Sequence, residues 1–311
     1  MIPMYNSEKW IARALHSMLN QTYRELQIIV VDDGSTDSSR EVVAGIKDSR
    51  IQLFENLHKG ISAVVNYGIR QAESKFIARL DSDDFSIKER LEIQYNYMKK
   101  HPDFGVISSD FIVIDENEKQ LLKVRYPVQD RQIRAQLPRK CCMIQSSLFF
   151  NKELIQAAGM YNENLTIAED WDILLKLMDK TKFYNIPGYL TYIRKHSRNI
   201  TNKDRVCKIQ EEIVPVSYFH AELKKSLTNQ QKANVYFNLG YFFYYRNEFK
   251  RSKMLIANAV KLNSLNPQYL RYYIFCRMTG ILSFIRKTKL YRIFDLLRLL
   301  DRNNVVFRNK Y

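Results

Sequence analysis

Residues 26–33, LQIIVVDD, carry four consecutive β-branched positions, Ile28 to Val31, that stop at two aspartates. An apolar run without polar alternation reads as a strand buried on both faces, the usual state of a strand in a parallel sheet. Working outward, RIQLFEN (Arg50–Asn56) and KFIARLD (Lys75–Asp81) read as further strands. Between them lie helical patterns. Ile11, Ala14, Leu15, Met18 and Leu19 fall at i, i+3, i+4, i+7 and i+8, with Ser7 ahead of them as the expected N-cap. Strand and helix alternating in this way predict βαβ units and a largely parallel sheet. Ligands of such sheets bind beyond the carboxyl ends of the strands, where VVDDGSTD and RLDSDD both put their acids.

After residue 105 the rhythm loosens. GVISSDFIVIDENEK predicts a hairpin, a loop region follows around Pro127 and Pro138, and then come SSLFFNKELI and the helix EDWDILLKLM. These read as the second half of one domain spanning residues 1–202, divided near residue 105. From residue 203 the chain is helical and rich in Tyr, Phe, Lys and Arg. Within it Tyr236, Leu239, Gly240, Phe243 and Ala259 follow the spacing of a single tetratricopeptide-type helical hairpin.

The formal net charge of +16 over 311 residues is unevenly placed, about +2 over residues 1–202 and +14 over residues 203–311. A near-neutral first part suits catalysis or small-molecule binding, and a basic second part suits an anionic surface. Residues 281–300, with Ile281, Leu282, Ile285, Ile293, Phe294, Leu297 and Leu300 among five basic side chains, read as a basic amphipathic helix able to lie on a membrane. The alternative is an apolar stripe packed on the preceding hairpin. Four cysteines without a CxxC pair predict a reducing compartment. No signal-peptide core and no long apolar segment stand in the sequence, so the expected location is cytoplasmic, or peripheral on the inner face of the cell membrane.

The stretch KFIARLDSDDFSIKER, Lys75–Arg90, poses the chemical question. Asp81, Asp83 and Asp84 crowd together with only Ser82 between them, and their repulsion calls for a counter-charge. A D-x-D at the end of a buried strand can hold a hard divalent cation through carboxylate oxygens while leaving places for water and phosphate. Taken alone it reads first as a solvated acidic turn ahead of a helix, because such triplets are common.

Its company decides. IPMYNSEKWIARALHSMLNQTY, IIVVDDGSTDSSREVV, ENLHKGISAVVNYGI, KFIARLDSDDFSIKERLEIQ and AEDWDILLKL occur in this order, and together they resemble family 2 glycosyltransferases, especially those that build bacterial surface polysaccharides. The resemblance covers roughly residues 1–200. It implies an α/β GT-A (Rossmann-like) fold, a mostly parallel sheet flanked by helices, with residues 203–311 as an α-helical C-terminal extension. It also implies a nucleotide-sugar-binding half (residues 1–105) and an acceptor half (residues 106–202). Position by position, Pro3 and Tyr5 would line the base pocket, Glu8 would sit at the same junction, and Asp33 would accept from the uracil N3–H of a UDP-sugar. Asp81 would lie near the ribose, Asp83 would ligate a Mg or Mn ion on the diphosphate, and Asp170 matches the general base. His196, in YIRKHSRNIT, matches a histidine that completes the metal site or touches the diphosphate.

Two departures stand out. Val65 replaces an arginine that many relatives carry before the Asn of SAxxN, and only Met1 and Ile2 precede Pro3 where the family has several residues, so the start is either truncated or an unusually short strand. The function implied is inverting, metal-dependent transfer of a sugar to a hydroxyl of a saccharide or lipid-linked saccharide. A nucleotidyltransferase would also use paired acids and a cation, but would show a Gly/Arg/Lys-rich phosphate loop near the N-terminus. A basic scaffold binding membrane or nucleic acid would depend on residues 203–311 and not on the aspartates; nucleic acid is the less expected partner.

Overall fold

The chain runs β1 (Ile2–Met4), α1 (Ile11–Leu19), β2 (Ile28–Asp32), α2 (Ser39–Gly45), β3 (Ile51–Glu55), α3 (Ile61–Gln71), β4 (Phe76–Ala78), β5 (Phe85–Ser86) and α4 (Arg90–Lys100). It continues through β6 (Phe104–Ile114), β7 (Gln120–Val124), α5 (Asp130–Gln136), β8 (Phe149–Asn151), α6 (Lys152–Ala157), α7 (Glu169–Lys176) and β9 (Lys182–Arg194). Four helices follow: α8 (Arg205–Leu223), α9 (Asn229–Tyr245), α10 (Phe249–Leu262) and α11 (Pro267–Ile285). This computed structural model describes residues 1–56, 58–197, 199, 205–223, 225–246 and 248–285. Residues 286–300, which hold most of the expected amphipathic helix, lie outside that set.

The run Ile28–Val31 is fully buried and forms the middle strand of a parallel sheet, β1-β2-β3. Met1 extends the sheet on the other side: its amino group donates to the Ala78 carbonyl at 2.9 Å and its carbonyl accepts from Leu80 N–H at 3.2 Å. That alternation is the hydrogen-bond pattern of a parallel neighbour, so the end of β4 continues the order β3-β2-β1-β4. The apolar face of α1 (Ile11, Ala14, Leu15 and Met18) packs with Ile2, Met4, Ile28, Val30 and Leu80 in one core.

Beyond β4 the sheet is mixed. β8 pairs antiparallel with β4 and β6, β9 pairs parallel with β6, β5 pairs antiparallel with β9, and β7 closes the expected hairpin with β6. The parallel character predicted from the first hundred residues therefore belongs to β1, β2 and β3, and the second half is built largely from antiparallel pairs. Between Pro127 and Pro138 the chain forms the short helix α5, with a capping box between Gln129 and Gln132. Ser7 is not the cap of α1. Trp10 occupies that position, the Ser7 carbonyl accepts from the Trp10 and Ile11 N–H groups, and the Ser7 hydroxyl pairs with Ser82 at 2.7 Å.

By the density of internal contacts the chain divides into Met1–Tyr218 and Phe219–Tyr311. In the second unit α9 and α10 pack where Gly240 meets Ile256, leaving no room for a side chain at 240. Ala233, Phe237, Tyr241, Tyr244, Ile256, Ala259, Tyr269 and Tyr272 form its core. Among the described residues no helix is long and apolar enough to cross a membrane.

Candidate active site

Each acid of the Asp81–Asp84 cluster has found a different partner. The chain stays buried through Arg79 and Leu80 and opens at Asp81, whose Oδ1 accepts from Arg79 Nε and Nη2 at 3.3 and 3.2 Å. Asp84 turns inward: the Arg194 N–H donates to its Oδ1 at 2.7 Å and the Ser146 hydroxyl donates to its Oδ2. Burial, reinforced by the charges of Asp83 and Asp81, holds the Asp84 carboxyl well above the usual carboxylate range. Asp83 faces the His196 ring, its Oδ2 lying 2.9 Å from Nε2, and Asn199 Nδ2 donates to the same oxygen at 3.2 Å. The counter-charge question thus has three answers: an arginine for Asp81, neutral hydrogen bonds for Asp84, and an imidazole for Asp83.

The imidazole is held from behind. Trp10 stacks on it with ring centroids 5.8 Å apart, and the Arg194 guanidinium lies 4.4 Å from the Trp10 ring. Arg194 is itself fixed, donating through Nε to the Asp83 carbonyl at 3.0 Å and through Nη2 to Glu118 at 3.0 Å. Asp83 and His196 offer one carboxylate oxygen and one imidazole nitrogen, a donor pair that suits Mg or Mn if substrate oxygens and water complete the shell. Among the described residues no cluster of three or more His, Cys, Asp or Glu is arranged to hold a metal without such help.

At the carboxyl end of β1, Pro3 is buried in the strand and Tyr5 is 46% exposed beyond it. The Tyr5 ring lies 4.6 Å from that of His58. Glu8 binds the adjacent turn, its Oε2 accepting from Ser38 N–H at 3.0 Å while its N–H donates to Asp37 at 3.1 Å. Asp33 is not the cap of the helix that follows it, because α2 begins later, at Ser39. Its two oxygens accept from Lys59 N–H at 2.9 Å and Gly60 N–H at 3.0 Å, pinning the loop that opens α3. Each oxygen keeps a second lone pair.

Glu169 and Asp170 open α7 just after Ala168, which adopts a left-handed φ of 60° and turns the chain into the helix. The loop before them is tied to α3: Asn66 donates to the Tyr161 carbonyl and to Glu163, each at 2.9 Å, accepts from Tyr161 N–H at 2.9 Å, and Ser62 donates to the Leu165 carbonyl at 3.1 Å. Asp170 is half-buried, with Trp171 N–H on Oδ1 at 2.8 Å and Cys141 Sγ 3.9 Å from Oδ2. Burial raises its carboxyl above the ordinary value, which moves it toward the range where a general base works at neutral pH. Glu169 is buried and receives Gln145 Nε2 at 2.7 Å. Burial first, and the Asp170 charge second, push its carboxyl up to about 8.

A consequence for stability follows from linkage. Glu169 is protonated in the folded chain up to about 8 but only to about 4.5 when unfolded, so the unfolded state holds fewer protons between those values. Stability from this group is present below the lower value and falls as pH rises through the upper one. Glu169→Gln, which keeps the hydrogen-bonding shape of the neutral acid, is expected to flatten the decline between about pH 5 and 8 in urea-unfolding free energies. A decline as steep as in the parent protein would place the titration elsewhere.

The structure brings together Asp83 with His196, and Asp81 with Glu169 through Arg79; Pro3, Tyr5, Glu8 and Asp33 stand around the carboxyl ends of β1 and β2. Sequence reading missed the roles of Arg79, Arg194, Trp10 and Asn66, although all four stand inside the stretches already quoted.

The glycosyl transferase family 2 model matches residues 1–158, half of the chain. The chain belongs to that family. The matched segment contains Asp33, Asp81 and Asp83 and ends before Asp170 and His196. An uncharacterized glycosyltransferase of Rickettsia conorii is 31% identical over 194 residues, 62% of this chain and 32% of the relative. The chain thus spans about a third of that relative's length. AmsE, an amylovoran biosynthesis glycosyltransferase of Erwinia amylovora, is 30% identical over 213 residues, 66% of this chain and 78% of AmsE. WbnJ, an O-antigen biosynthesis glycosyltransferase of Escherichia coli, is 27% identical over 204 residues, 63% of this chain and 78% of WbnJ. The S. aureus TarS fragment 1–349, solved with UDP-GlcNAc, superposes with a TM-score of 0.69 at 19% identity, covering 94% of this chain and 90% of the fragment. The fold of this family 2 member is accordingly GT-A, with helices added at the C-terminal end.

Proposed function

We propose that the protein is an inverting, metal-dependent glycosyltransferase that moves a sugar from a UDP-sugar to a hydroxyl of a saccharide or lipid-linked saccharide in surface polysaccharide synthesis. The observation that carries the proposal is the division of the acids into two differently equipped centres. Asp83 pairs with an imidazole at the end of the nucleotide-side sheet, and Asp170 stands at the start of α7 with a raised carboxyl. A polysaccharide role draws support from AmsE and WbnJ, and a uridine nucleotide from the donor bound in the TarS fragment. A related precedent for the cation is the Pyrobaculum calidifontis mannosyltransferase PcManGT, solved with GDP-Man and Mn2+, which superposes with a TM-score of 0.56 at 16% identity.

Asp83 and His196 would hold the cation, which supplies positive charge to the diphosphate oxygens as they leave. Tyr5 and Pro3 would flank the base, and Asp33 would accept its N–H through a free lone pair. Asp170 would accept the proton of the attacking hydroxyl, because an alcohol is a weak nucleophile at neutral pH. A base opposite the leaving group implies in-line displacement and inversion. Nucleotide release from a panel of nucleotide-sugars, with the anomeric coupling constant of the product read by NMR, tests this. A UDP-sugar is expected to be turned over with inversion, and a product of retained configuration would contradict the role of Asp170.

A further inference from the structure

We infer that Arg79 is a positioning residue that ties the base-bearing helix α7 to the donor-binding loop Asp81–Asp84. The inference rests on the reading of Asp170 as the base. It adds a residue that works through the acidic side chains it holds, Asp81 and Glu169.

The guanidinium is 1% exposed, in the stretch between the end of β4 and Asp81. Nε and Nη2 grip Asp81 Oδ1 at 3.3 and 3.2 Å, and Nη2 also stands 3.9 Å from Glu169 Oε1. One side chain therefore spans the tip of the sheet and the first turn of a helix far along the sequence. Its backbone is anchored as well: Arg79 N–H donates to the Leu148 carbonyl at 2.9 Å, and the Arg79 carbonyl accepts from Arg90 Nη2 at 2.7 Å. Sideways movement of the bridge is thus prevented.

An arginine kept only for packing would have its fork satisfied, since buried donors are almost always paired. Arg79 Nη1 is buried without a well-directed hydrogen bond, and the buried Tyr161 side chain lies beside the same guanidinium, close enough for Arg79 to act on its hydroxyl. The rest of the fork is aimed at Asp81 and Glu169, so the guanidinium is placed among acids as well as packed. Asp170 sits in that field. Facing it are Arg79, Asp81, Glu169, Tyr161, Tyr126 and Cys141, and Arg79 is the only cation among these. Burial raises the Asp170 carboxyl, and Arg79 works against that rise.

The test compares Arg79→Met and Arg79→Lys with Asp170→Asn, by turnover across pH 5.5–9, donor binding by calorimetry and thermal unfolding. Arg79→Met is expected to move the acidic limb of the turnover profile upward by about one pH unit or more, so that activity recovers toward high pH. Arg79→Lys keeps the charge but reaches one carboxylate at a time. It is expected to lose at least about tenfold in kcat while donor affinity stays within about threefold. If Arg79→Met does not fold, Arg79→Lys decides alone. Wild-type turnover in folded Arg79→Lys, or an unmoved limb in folded Arg79→Met, overturns the inference. Wild-type turnover in Asp170→Asn would instead sink the base reading, so the two failures are told apart.

Discussion

Asp83→Asn is expected to abolish turnover while leaving the fold intact. The Asp83 side chain is about a quarter exposed, and its contacts are with His196 and Asn199 at the site's edge, so an amide of equal size disturbs no core packing. What it removes is the one anionic oxygen that faces the imidazole. A cation at a diphosphate leaving group supplies several kcal/mol of barrier lowering, so its loss corresponds to a rate reduction of about a thousandfold or more. Steady-state nucleotide release gives the rate, and a thermal melt within a few degrees of the parent protein's shows that the fold survives. A variant retaining a tenth of the activity would mean that Asp83 is not the cation's carboxylate.

Asp170→Asn is expected to separate binding from chemistry. The amide still receives the Trp171 N–H, so α7 keeps its first turn, but it cannot take a proton from an acceptor hydroxyl. Removal of a general base costs about a hundredfold to ten-thousandfold in transfer, while donor affinity measured by calorimetry stays unchanged. Loss of donor affinity with a normal residual rate would move Asp170 into the donor site.

How much of this was legible in the sequence depends on whether the signal was local. Asp33, Asp81 and Asp83 stood out because apolar strands end there, whereas Asp170 stood out only through the family resemblance, an acid at the start of a helix being ordinary by itself. β9 was less visible: Pro187 and Gly188 interrupt it and read as a breaker, yet the strand runs thirteen residues beside β6 by shifting register near Asp110. β8 is only three residues long and merges into α6, so the antiparallel pairs that make the second half of the sheet left no periodic trace. Arg79 was hidden for another reason. An arginine inside an apolar strand pattern gives no local hint that its partner is Glu169, and only the folded chain brings the two together. Trp10 and Asn66 are of the same kind, one bracing His196 and the other tying α3 to the loop ahead of α7.

The most direct measurement is nucleotide release from UDP-sugars by protein stripped of divalent metal, followed by titration with Mg or Mn. Release is expected to vanish in excess EDTA, to return with the added cation in the parent protein, and to stay absent in Asp83→Asn at every cation concentration. Undiminished release by protein verified to be metal-free would contradict the assignment of Asp83 and His196, and with it the metal-dependent mechanism.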